Sequence, residues 1–164
     1  MRRVVTGVDP QGSSTVLSDG SPPTAFHATP TSPPAKVTRI PDEGSVSPGE
    51  AIVHQLWRTD PETAPGGSDP TVVMDTPEFE TPSGATSWIV TEMGPGLEVP
   101  KHSTATIDYG FVVRGDVQMG LDTGTITLRA GECVLVDGVT HSWTAGPDGC
   151  VIVTVQLGIP EGQH

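Results

Sequence analysis

The sequence predicts an all-β chain closed into a barrel or sandwich, and three observations carry that expectation. Gly 20 and Pro 17 are high for 164 residues, and only 34% of residues are hydrophobic. That balance suits many turns and short strands better than long helices. No stretch repeats apolar residues at helical spacing, whereas several alternate every second residue. From residue 85 on, SWIVTEM, TIDYGFVV, VQMGLD, TITLRA, CVLVDG, HSWTA and VIVTVQLG follow one another with short turns between them. Strands in that rhythm build antiparallel barrels and sandwiches.

The elements follow in chain order. Residues 2–18 read as a hairpin, with Arg3-Val4-Val5-Thr6 and Thr15-Val16-Leu17 flanking the turn Asp9-Pro10-Gln11-Gly12. Residues 19–49 are rich in Pro, Ser and Thr and read as an extended arm over the surface. Residues 51–58 (AIVHQLWR) read as a strand whose His54 is compatible with either face. Residues 59–84 return to Pro, Gly, Asp and Thr and read as a long loop. Beyond them, Gly115-Asp116 and Asp122-Thr123-Gly124 read as hairpin turns. The strand Ile107–Val113 is apolar on both faces except for Asp108, so a second layer is expected over it, from the N-terminal arm or from a partner subunit. The length is that of a single domain, 1–164, with residues 1–49 as hairpin and arm and 50–160 as the barrel.

The formal net charge is -12, which repels phosphate backbones and argues against nucleic-acid binding. The N-terminus MRRVVTGVDP has no apolar run behind its arginines, and no segment approaches the roughly 20 apolar residues of a membrane span. A cytoplasmic protein without membrane contact is the expectation. Cys133 and Cys150 form no zinc pattern and read as buried strand thiols.

Two stretches carry the chemistry. The first runs from Gly96 through His102, Thr104 and Asp108 to Gly115; the second from Gly131 through Gly138 to His141 and Trp143. Together they resemble the paired motifs of the cupin superfamily over about residues 90–157. The finer resemblance is to small single-domain bacterial cupins, with His-x-Thr…Asp in place of His-x-His…Glu. It implies a cupin double-stranded β-helix, a jelly-roll barrel, with the N-terminal hairpin and arm added. It also implies a divalent metal (Fe, Zn, Mn or Ni) at His102, Asp108 and His141, in the barrel mouth. Thr104 replaces the expected second histidine and Asp108 replaces glutamate, so a metal-free barrel stays open beside the metal-bound one.

Strand alternation supports the same grouping. Asp108, Gly110 and Val112 share one face, Tyr109 and Phe111 the other, and His141 shares a face with Trp143. Two imidazoles and one carboxylate facing one cavity match a facial metal triad, and without metal they suit acid–base work. A carboxylate inside an apolar strand costs free energy unless partnered, which singles out Asp108. The candidate catalytic residues are therefore Asp108, His102 and His141, and the candidate substrate-binding residues are Trp143, Thr104, Gln156 and Trp88. The expected function is a lyase- or isomerase-type enzyme acting on an organic acid or carbonyl-containing small molecule. An Fe(II) dioxygenase and a non-catalytic binding module are the alternatives. A homodimer is the expected assembly.

Overall fold

The computed structural model describes residues 1–29, 36–40, 44–63, 67–72, 74 and 81–160. Among them every regular element is a strand, and no helix is long and apolar enough to cross a membrane. The strands are β1 (Arg3–Val8), β2 (Ser14–Gly20), β3 (Ala25–Thr29), β4 (Lys36–Ile40), β5 (Ala51–Thr59), β6 (Thr86–Met93), β7 (Glu98–His102), β8 (Thr106–Leu121), β9 (Gly124–Arg129), β10 (Cys133–Asp137) and β11 (His141–Gly158). β1 and β2 form the expected hairpin. Asp9 Oδ1 accepts hydrogen bonds from the amides of Gln11 and Ser13, and Gly12 supplies the positive φ.

The other nine strands form one antiparallel sheet, ordered β10-β8-β11-β6-β5-β3-β4, with β7 on β11 and β9 on β8. Val37 of β4 and Val134 of β10, from opposite ends of that path, line the same cavity. The sheet is therefore rolled into an all-β jelly-roll barrel. Leu97, Val112 and Val117 have no solvent exposure and centre its core.

Three expectations need correction. The 19–49 segment is more than a draped arm, because β3 and β4 pair into the main sheet and Phe26 is fully buried; residues 30–35 and 41–43 lie outside the described residues. Gly115-Asp116 is not a hairpin turn. β8 runs through it as one strand, opposite a bulge in β11 between Ala145 and Cys150. Cys133 is exposed; only Cys150 is buried, and burial pushes its thiol up to about 11.

β5 is covered on both faces. Ala51 and Val53 face the cavity, while Ile52, His54 and Leu56 are buried without lining it. The Arg3 guanidinium donates to the Leu56 carbonyl and to Thr71, and it pairs with Asp69. That link fastens the hairpin to the barrel. His54 Nε2 donates to the Glu92 carboxylate at 2.8 Å, on the side of β5 away from the cavity.

Candidate functional site

β7, β8 and β11 deliver the polar groups to one cavity of about 310 Å³, a volume within the range of small-molecule sites. His102 of β7 and His141 of β11 are direct register partners, with ring centroids 4.5 Å apart. Trp143, two residues on, meets the His141 ring edge-on at 5.3 Å. Asp108 of β8 sits opposite Gln156 of β11, whose amide nitrogen lies 3.4 Å from Asp108 Oδ2. Gly138, at φ 63, makes the turn that brings the chain into β11 just before His141. His102, Thr104, Asp108, His141, Trp143 and Gln156 all line the cavity.

The two histidines are held alike. Nδ1 of His102 lies 2.9 Å from the Pro100 carbonyl, and Nδ1 of His141 lies 2.8 Å from the Val139 carbonyl. A carbonyl only accepts, so each Nδ1 carries a hydrogen, and in the neutral ring the lone pair lies on Nε2. Burial holds the His141 imidazole below its ordinary value. The hydrogen bond to Val139 and the charge of Asp108 act in the opposite sense, and the charge of His102 adds to the lowering. Asp108 Oδ1 is buried and has no hydrogen-bond partner. A native protein leaves few such atoms.

A stability prediction follows from His141. Its neutral form is favoured in the folded chain, so the unfolded chain takes up the proton first as pH falls. The stabilisation is complete above about 6.5, the unfolded value, and is lost as pH drops through the lower folded value. Thermal melts at about pH 7.5 and about pH 5.5 should show a smaller acid-side loss in His141→Gln than in the parent. Equal losses in both would remove His141 from that dependence.

The donor set falls short of a metal centre. Among the described residues no group of three His, Cys, Asp or Glu side chains converges to hold an ion. His102 and His141 meet, but the Asp108 carboxylate has its Oδ2 beside Gln156 instead of completing the expected triad. Two imidazole nitrogens alone hold a divalent ion weakly compared with three or four donors. Thr104 lines the same cavity and hydrogen-bonds Thr106 at 2.7 Å. Thr104→His adds a third nitrogen, so dialysed variant protein should retain about one Zn²⁺ per chain and the parent far less. Equal zinc in the two proteins would show that position 104 does not face the histidine pair.

Trp88 is the one expected cavity residue that lies elsewhere. It is 44% exposed and sits opposite Val155, on the outer face of β6. Ile89, Thr91 and Met93 of β6 face inward instead. Thr154 also lines the cavity and was not anticipated. Its parity with Gln156 on β11 was the available signal. Ala28 and Val37, from the segment expected to be an arm, complete the wall.

No family model matches the chain. Among curated proteins it is similar to a cupin-domain-containing oxidoreductase of Neurospora crassa, 35% identical over 68 residues, covering 41% of this chain and 34% of that protein. It is also similar to a cupin-domain-containing oxidoreductase of Aspergillus ruber, 34% identical over 53 residues, covering 32% of this chain and 26% of that protein. The chain thus spans about a third of the length of the curated relatives it matches. Among solved structures, a cupin superfamily protein of Desulfitobacterium hafniense aligns over 70% of this chain and 84% of that one, at 10% identity and a TM-score of 0.48.

Proposed function

We propose that the chain is a cupin-type enzyme that moves a proton within a small carbonyl compound, an isomerase- or lyase-type reaction, a reading supported by the rolled all-β barrel and by the similarity to cupin-domain-containing oxidoreductases. The observation that carries this reading is Asp108 Oδ1, buried at the cavity without a partner. An oxygen in that state has lost its water and gains most from an incoming proton donor. Asp108 takes the proton from the carbon next to the carbonyl. The Nε2 atoms of His102 and His141, whose Nδ1 hydrogens are held by backbone carbonyls, accept it in turn and return it at a second position. Gln156, Thr104 and Trp143 hold the substrate against this group.

The test is proton exchange. Small ketones are incubated with the protein in D₂O, and deuterium at the carbon beside the carbonyl is followed by NMR. Enzyme-dependent exchange is expected. The names of the two oxidoreductase relatives favour a second reading, redox chemistry. Oxygen uptake with an oxidised product and no exchange would replace the first reading by the second. Binding without either would leave a binding module.

The partner in this proposal is a second copy of the chain. One row across four strands of the outer face carries Leu135, Tyr109, Val155 and Trp88, which are 59%, 55%, 38% and 44% exposed. Phe111 and Val113 extend the patch. Exposed apolar surface of this extent, roughly the few hundred Å² at the limit of a monomer, marks an interaction face. Two chains of charge -12 repel, so an uncharged, self-complementary face is where they can meet. Light scattering should give a dimer for the parent and a monomer for Phe111→Glu. A monomeric parent at tens of micromolar would rule out this assembly.

A further inference from the structure

We infer that the cavity selects an uncharged, largely apolar molecule bearing one carbonyl or hydroxyl group, and that it rejects anions, organic acids included. The inference rests on the acid–base reading only for which end of the cavity the polar group occupies. Its main support is where the positive charges are. All eight Lys and Arg residues fall among the described residues, and none lines the cavity. Arg2 pairs with Asp19, Arg3 with Asp69, Arg58 with Asp60 and Lys101 with Asp122. Lys36, Arg39, Arg114 and Arg129 are exposed.

Sites built for carboxylates or phosphates place a guanidinium or ammonium against them. Here the charged group in the wall is Asp108, a carboxylate that repels an anion. The imidazoles do not replace the missing cation. Each turns its Nδ1 hydrogen to a backbone carbonyl, away from a ligand. An anion entering here would lose its water and gain no counter-charge.

The rest of the wall says what does fit. Val53, Ile89, Met93, Leu97, Val134 and Ile152 present hydrocarbon from four strands and the β6–β7 turn. The polar atoms gather around Asp108, Gln156 and the histidine pair. A volume of about 310 Å³, at about 30 Å³ per water-sized unit, suits about ten non-hydrogen atoms. The matching ligand is a compact hydrocarbon with one polar terminus.

The test uses two probes of the same size and skeleton, 4-phenyl-2-butanone and 3-phenylpropanoate, titrated into the full chain by calorimetry at about pH 7.5. They differ only in a methyl ketone against a carboxylate. The ketone is expected to bind at least about tenfold more tightly. Thr154→Arg, which puts a guanidinium into the wall, should reverse the preference. A carboxylate that binds the parent as well as the ketone does overturns the inference, as does the failure of both probes to bind at millimolar concentration. Binding is read at equilibrium without turnover. A chain that prefers the ketone yet exchanges no proton would therefore sink the enzymatic reading alone.

Discussion

Asp108→Asn should lower the rate of proton exchange by about two to four orders of magnitude, the usual range for loss of a positioned acid–base group. The substitution keeps the shape of the side chain and its place opposite Gln156, so the barrel should form as before. It also removes a charge from a buried oxygen that no hydrogen bond satisfies. The variant should therefore melt at the same temperature as the parent or a few degrees higher, as happens when a strained catalytic group is relieved. Loss of activity with unchanged or raised stability is the signature of a group kept for chemistry. If the variant instead unfolds easily, Asp108 is a structural residue and the proton transfer must be sought at the histidines. If exchange persists at the parental rate, Asp108 is not the base.

Gly115→Ala should destabilise the barrel by at least about 3 kcal/mol, combining left-handed backbone strain with a steric clash. Gly115 has φ 73, and a Cβ added there would lie 2.0 Å from the carbonyl oxygen of Gly149. The atom in the way is backbone, in the bulge of β11, and it cannot rotate aside. Gly20→Ala is the control, because nothing lies within 4 Å of its added Cβ and its φ is ordinary. Chemical denaturation should show a large loss for the first variant and little change for the second. Comparable effects in both would mean that β8 tolerates a different path at this point.

The strand pattern of residues 85–158 was legible because alternation is local and the turns carry Gly and Asp. So was the grouping of Asp108 with Gly110 and of His141 with Trp143, since parity along a strand fixes which residues share a face. Gly115 was misread because the same residue serves a hairpin and a bulge. Only the opposite strand, with its extra residues between Ala145 and Cys150, tells them apart. β3 and β4 were missed because a Pro-, Ser- and Thr-rich segment hides two five-residue strands whose pairing is long-range. Trp88 went to the wrong face because an alternating strand has two phases, and sequence alone does not say which one meets the cavity. The carboxylate's distance from the histidine pair, which decides between a metal triad and an acid–base cluster, depends on barrel curvature and has no local signal.

The cavity draws on two parts of the chain for two different purposes. The reactive side chains come from β7, β8 and β11, whereas Ala28, Val37, Ala51 and Val53 come from β3, β4 and β5. Substitutions in the second group alter the room available without touching a proton-transfer group. A directed search for altered ligand preference can therefore be confined to four small side chains in the first third of the sequence. Ala28 and Ala51 are the places to begin, since each added methylene there subtracts volume from the space a ligand would fill.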